Sequence, residues 1–191
     1  MARGNVEIEI KYPLKNRGQI AMFLGKNAEA AAQGVTQKDT YYTPKHRDFL
    51  AEQYPYEWLR IRETQHRASV TYKHFYPAKI EKHTHADEFE YNISDPSACE
   101  KMFLALDFKK RVVVDKTRDT WNYKEVEIAL DSVLGLGDYI EIEATTEYHD
   151  PHEAKAYIRT ILKEVAAEVG EEDLRGYPYV LLAKQGYRFG Q

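Results

Sequence analysis

Like charges spaced two residues apart and interleaved with aliphatic residues recur along this chain, and they restrict it to strands that are apolar on one side and ionic on the other. Glu7-Ile8-Glu9-Ile10-Lys11 is the first such segment. Side chains alternate across a strand, so Glu7, Glu9 and Lys11 project together while Val6, Ile8 and Ile10 project the other way. The same arithmetic sets Arg60 and Arg62 against Leu59 and Ile61, Glu88 and Glu90 against Phe89 and Tyr91, and Glu141 and Glu143 against Ile140 and Ile142. Lys116 pairs with Arg118, Asp131 shares the face of Glu125, Glu127 and Ala129, and Lys73 adds a cation near the end of a further strand. One strand of this kind is an ordinary sheet with its charged face in water. A series of them, with charges of clustered sign and little Ser, Thr, Asn or Gln between, asks for another explanation.

Strands are expected at 6–12, 36–42, 57–63, 68–75, 87–93, 111–116, 120–123, 125–130 and 139–145, and helices at 19–33, 96–106 and 154–168. Pro13 ends the first strand because it cannot donate to a continuing ladder. Gly34 stops the first helix, Asp95-Pro96 starts the second, and Asp150 caps the third with Pro151 at its first position and Gly170 at its end. A short last helix from Glu171 leads into Tyr177-Pro178-Tyr179. The order of elements repeats loosely, as in an internal duplication without a fixed residue period. Neighbouring strands are close enough in sequence for hairpins, which favours an antiparallel sheet, and about eight strands is the number at which a sheet can close on itself. The helices then cover the apolar faces from outside and turn the ionic faces towards a polar lumen.

Such a lumen needs neutralising, since burying an uncompensated charge costs several kcal/mol or more. A polyphosphate with Mg²⁺ or Mn²⁺ answers both signs: hard divalent ions take carboxylate oxygens, and guanidinium and ammonium groups take phosphate oxygens. The net charge of -4, from 27 basic and 31 acidic residues, gives no global attraction to nucleic acid or to an anionic membrane, so an anionic ligand must be held by local cations. No apolar run approaches the roughly 20 residues that cross a bilayer, and Met1-Ala2-Arg3-Gly4-Asn5 lacks a signal-peptide core, so the protein is expected to be soluble and cytoplasmic. Cys99 is the sole cysteine and is expected to be a packed thiol. The 191 residues suit one domain, with no linker of biased composition.

Taken in order, Glu7-x-Glu9-x-Lys11, Asp39-Thr40-Tyr41-Tyr42-Thr43-Pro44, Leu59-Arg60-Ile61-Arg62 and the Lys73 strand resemble the first half of the CYTH, or triphosphate tunnel metalloenzyme, family. Glu88-x-Glu90, Lys116-x-Arg118 and the stretch from Leu130-Asp131 to Glu141-Ile142-Glu143 are similar to its second half, in the branch of the class IV adenylyl cyclases. The resemblance covers nearly the whole chain. It implies an α+β, β-rich fold: a closed eight-stranded antiparallel β-barrel with helices packed outside, as a single domain over 1–191. It also implies that Glu7, Glu9, Asp131, Glu141 and Glu143 ligate Mg²⁺ or Mn²⁺, and that Lys11, Arg60, Arg62, Lys73, Lys116 and Arg118 bind phosphates. Glu7, Glu9 and Lys11 belong with Glu88 and Glu90 to the catalytic set, the last two orienting the cations or a water. Tyr42 and Tyr179 are weaker candidates for shaping an entrance.

Two departures stand out from the family's pattern. His83-Thr84-His85-Ala86-Asp87 replaces an expected arginine, and with His74 it raises a transition-metal site as an alternative to plain hairpin residues. Lys73-His74-Phe75-Tyr76 is bulkier than the small residues expected beside the phosphates. Three activities stay open: cyclisation of ATP to 3′,5′-cyclic AMP and pyrophosphate; hydrolysis of inorganic triphosphate, thiamine triphosphate or a nucleotide; and binding of a polyphosphate without turnover. An unpaired helix face leaves room for a homodimer.

Overall fold

The computed structural model describes residues 6–173 and 175–190; residues 1–5, where no signal-peptide core is expected, lie outside them. The described elements are β1 (Val6–Glu7), β2 (Glu9–Pro13), α1 (Arg17–Asn27), β3 (Glu29–Pro44), β4 (Glu57–Thr64), β5 (Ala68–Tyr76) and β6 (His85–Ile93). They continue with α2 (Pro96–Ala105), β7 (Phe108–Tyr123), β8 (Val126–Val133), β9 (Gly137–Ala144), α3 (Pro151–Glu164) and α4 (Tyr177–Lys184). Hydrogen-bonded neighbours follow the order β1-β6-β5-β4-β3-β7-β8-β9-β2. The ladders of β4 with β3 and β5, of β5 with β6, and of β9 with β8 and β2 are antiparallel, as is β7 with β8.

The expected antiparallel sheet with helices is therefore present. Its first strand is divided at Ile8 into β1 and β2, and the described strands number nine. Closure into a barrel is more than the described residues show, because β1 and β2 end the order of neighbours and no ladder joins them.

The described residues divide into two compact units: Val6, Thr36–Asp115 and 175–190 form the first, and Glu7–Val35 with 116–173 the second. In the second unit, alternation sends Ile10, Trp121, Ile128, Leu130, Ile140 and Ile142 to one side, where they meet Ile20 and Leu24 of α1 and Ile158, Ile161 and Leu162 of α3. Helix α3 buries Ala154, Ile158, Ile161 and Leu162, the single stripe that a 3.6-residue period produces. Asp150 starts it, accepting a hydrogen bond from His152 N at 2.8 Å. In the first unit Tyr42, Leu59 and Ile61 pack with Phe49, Cys99 and Phe103. Cys99 is thus the packed thiol expected, and burial pushes its pKa up.

Four boundaries differ from the sequence reading. The alanine-rich run after Asn27 is strand, not the end of a helix from 19 to 33: Ala28 is already extended, and Gln33 Nε2 and Gly34 N are held by Thr120 O and Asp119 Oδ1. Cross-strand bonding overrides the helix propensity of alanine there. Segments 111–116 and 120–123 are one strand, because Thr117, Arg118 and Asp119 pair with Ser132, Asp131 and Leu130 without a break. Helix α3 stops at Glu164 rather than running on towards Gly170: Ala166 has φ +54°, and the chain then runs beside β2. Val169 bridges Leu14, Gly170 N bonds Pro13 O, and Asp173 N bonds Lys11 O. For the same reason the last helix begins at Tyr177, not at Glu171. No helix among the described residues is long and apolar enough to cross a membrane.

Ile140 is fully buried and Leu134 is 73% exposed on the turn before β9. Ile140→Ala is expected to lower unfolding stability by about 2–5 kcal/mol in urea titrations, and Leu134→Ala to change it by less than about 0.5 kcal/mol. Equal effects would contradict the assignment of the apolar face.

Candidate functional site

The ionic face of the second unit opposes its apolar face on the same strands. Register places Asp131 of β8 opposite Arg118 of β7, and Glu141 of β9 opposite Lys11 of β2. Arg118 grips Asp131 with Nε at 2.7 Å and Nη2 at 2.6 Å, and the same Nη2 reaches Glu141 at 2.9 Å. Lys116 Nζ donates to Asp131 at 2.9 Å, while Lys11 Nζ lies 2.8 Å from Glu141 and 3.7 Å from Glu9. Charges of alternating sign thus run from Lys116 to Glu9. Asp131 is wholly buried, and although burial opposes its ionisation, Arg118 and Lys116 hold its pKa down at about 2. Burial likewise opposes the charge of Glu141, but Arg118, Lys11 and Lys116 keep it well below the ordinary carboxylate range. Lys11 stays cationic against burial through Glu141, Glu9 and Asp173, which raise its pKa.

One row along, the signs no longer alternate. Glu9 pairs with Glu143, and Glu143 with Glu127, so three carboxylates stand side by side across β2, β9 and β8. Directly opposed like charges repel. Burial pushes the Glu127 pKa up, Arg118 pulls against it, and Glu141 and Glu7 add to the rise. A row of hard oxygen donors fits Mg²⁺ or Mn²⁺ shared with a phosphate, because Mg²⁺ takes only one or two carboxylates beside substrate oxygens and water. A complete protein cage is not the geometry here: among the described residues no three His, Cys, Asp or Glu groups converge to hold an ion alone.

The first unit builds a similar face. Asp39 of β3, 1% exposed, lies opposite Arg62 of β4, and Arg62 Nε and Nη2 each donate to it at 2.6 Å. Arg60 Nη1 shares Asp39 at 3.4 Å, and its Nη2 lies 3.8 Å from Glu88. Lys73 Nζ meets Glu88 at 2.8 Å, and Thr71 Oγ1 donates to the exposed Glu90 at 3.0 Å. Burial disfavours the Arg60 cation, yet Asp39, Tyr41 and Glu88 push its pKa above the ordinary value. Arg60 Nε is buried without a hydrogen-bond partner among the described residues. A buried donor left open is costly, and an acceptor oxygen, of water or of a ligand, is what satisfies it.

The structure therefore brings Lys11, Lys116, Arg118, Asp131 and Glu141 into one connected group, and Arg60, Arg62, Lys73 and Glu88 into another. Glu9 and Glu143 flank the first, and Glu7 acts on it through Glu127. Two residues carried no role in the sequence reading. Asp39 is the anchor of both arginines, and its signal was an aspartate at a strand position opposite Arg62. Glu127 completes the carboxylate row, which only the β8–β9 register reveals. The histidines are engaged in other contacts: His74 and His85 stack on Tyr76 with centroids 4.6 and 5.2 Å apart, and His83 Nδ1 donates to Pro77 O at 2.9 Å. Tyr42 is core, its hydroxyl 2.9 Å from Glu100, and Tyr179 stacks on Phe189 at 4.0 Å.

The model of the CYTH domain matches residues 5–177. A Methanocaldococcus jannaschii protein provisionally named an adenylate cyclase is 30% identical over 138 residues, 72% of this chain and 76% of its own. The structure of PH1819 from Pyrococcus horikoshii superposes with a TM-score of 0.78 at 31% identity, over 93% of this chain and 99% of that one. A Hippeastrum protein provisionally named an adenylyl cyclase, whose reported activity is dominantly that of a triphosphatase, gives 0.61 at 18% identity over 94% and 96% of the two chains.

Asp131→Asn leaves Lys116 and Arg118 without their shared anion, and metal-free protein carrying it is expected to lose about 3–5 kcal/mol at neutral pH. The parent's Asp131 is depressed below the unfolded carboxylate pKa of about 3.9. Its stabilising contribution is present above that pH and lost as pH falls towards 2. Urea midpoints measured from pH 7 to 2 should fall less steeply in the variant over that window; parallel curves would refute the assignment.

Proposed function

We propose that this chain, which belongs to the CYTH family, is a divalent-metal-dependent enzyme acting on a triphosphate, and that the triphosphate is ATP, cyclised to 3′,5′-cyclic AMP and pyrophosphate. The observation that carries the reading is that each unit holds its own charge-paired cluster of cations, Lys11, Lys116 and Arg118 in one and Arg60, Arg62 and Lys73 in the other. Phosphate binding falls to Lys11, Lys116 and Arg118 in one unit and to Arg60, Arg62 and Lys73 in the other. Metal binding falls to Glu7, Glu9, Asp131, Glu141 and Glu143. When bound, the ion supplies Lewis-acid activation of the attacking oxygen and offsets phosphate charge.

The chain's own residues do the positioning. Arginine forks, already fixed by Asp39 and Asp131, present planar donors to phosphate oxygens without reorganising. As the ribose 3′-hydroxyl gives up its proton to solvent and its oxygen bonds to the α-phosphorus, the bond from that phosphorus to the α,β-bridging oxygen breaks and these cations take up the charge of the departing pyrophosphate. Glu88 orients Lys73 and Arg60. The same groups serve hydrolysis, with a water as nucleophile and Glu90, held by Thr71, to orient it. The triphosphatase activity of the Hippeastrum protein favours this second reading.

Incubation with Mg²⁺ or Mn²⁺ and ATP, GTP, thiamine triphosphate or inorganic triphosphate, with products identified by mass, tests both. Cyclic nucleotide with pyrophosphate supports the cyclase, orthophosphate supports the hydrolase, and binding with no product leaves a sensor. Arg60→Ala should reduce kcat by about 100–1,000-fold, and Glu9→Gln should abolish metal-dependent turnover with the fold intact. Undiminished turnover in both variants would end the proposal.

A further inference from the structure

On β5, alternation places Thr71, Lys73 and Phe75 on the ionic face of the first unit. Its register defines what lies beside each. Thr71 stands between Arg60 and Glu90, and Lys73 between Trp58 and Glu88. Phe75 stands beside Ala86, which is small and buried, so no long side chain occupies the neighbouring position on β6. Phe75 is about 7 Å further along the face than Lys73. The cations therefore end and an aromatic surface begins. Trp58 lies edge-on to Tyr41 with centroids 5.7 Å apart, and both are buried. Phe75 is only half-buried, and its ring is braced by His83, whose centroid is 5.2 Å away. The carbonyl of Pro77 can only accept, so His83 Nδ1 carries the proton in that contact and the imidazole is fixed in place.

A partly exposed ring at the end of a phosphate-binding row is suited to stacking, since every nucleobase offers a π-face and stacking tolerates base identity. We propose that Phe75 stacks on the base of a nucleoside triphosphate whose phosphates lie on Arg60, Arg62 and Lys73, and that it thereby selects nucleotides over inorganic triphosphate. This rests on the triphosphate reading above.

Calorimetric titration with a non-hydrolysable ATP analogue, and in parallel with non-hydrolysable inorganic triphosphate, both with Mg²⁺, tests it in the full chain. Phe75→Ala should weaken the ATP analogue by about 10-fold or more and leave inorganic triphosphate within about twofold, which also reports an intact fold. Phe75→Tyr, which keeps the ring, should stay close to the parent for both ligands. Equal weakening of both ligands by Phe75→Ala, or of neither, overturns the platform while sparing the triphosphate reading. Failure of the parent to bind either ligand removes that reading and the platform together.

Discussion

Two buried aspartates, each clasped by an arginine on the neighbouring strand, set the terms for everything on the ionic faces. Asp39 with Arg62 and Asp131 with Arg118 are cross-strand partners in register, so the sheet itself brings each pair together. Removing such charges from water is expensive, and Coulombic attraction offsets it only when the remaining lone pairs and donors are used. Each aspartate accordingly binds a second cation, Arg60 or Lys116. The carboxylates hold the cations in fixed positions and leave part of their donor capacity to a ligand. That is preorganisation: the cost of assembling like charges is met on folding, before any ligand arrives.

The loose repetition of elements along the chain takes on physical meaning here. Each unit has a β-sheet with one aliphatic and one ionic face, a helix on the aliphatic side, and a strand aspartate neutralising an arginine. The details diverge. The second unit adds a row of carboxylates, Glu9, Glu143 and Glu127, which suits a hard cation. The first adds aromatic residues: Tyr41 opposite Arg60, Trp58 opposite Lys73, and Phe75 beyond them. One half concentrates carboxylates and the other aromatic rings.

Most of this was legible from alternation alone, because a period of two assigns faces without knowledge of partners. Glu141 and Glu143 against Ile140 and Ile142 needed no more than that. What alternation could not supply was register. The alignment of Glu127 with Glu143 depends on the turn through Gly135 and Gly137, both at positive φ, and no local pattern encodes which residues end up opposed. Propensity misled where ladder bonding outweighed it, as in the alanines after Asn27. Asp39 was passed over for a related reason: a single aspartate among Thr and Tyr residues carries no doubled charge, and its importance lies entirely in the arginine facing it.

The segment from Glu168 to Asp173 also protects the molecule. Backbone groups just outside β2, at Ile8 and Leu14, are turned to β9, and those at Lys11 and Pro13 of β2 and at Lys15 beyond it are bonded by this segment. An extended edge with unsatisfied amides and carbonyls is a template for pairing with a second chain. Here the template is masked by the protein's own sequence, which guards against aggregation without adding a further strand to the sheet.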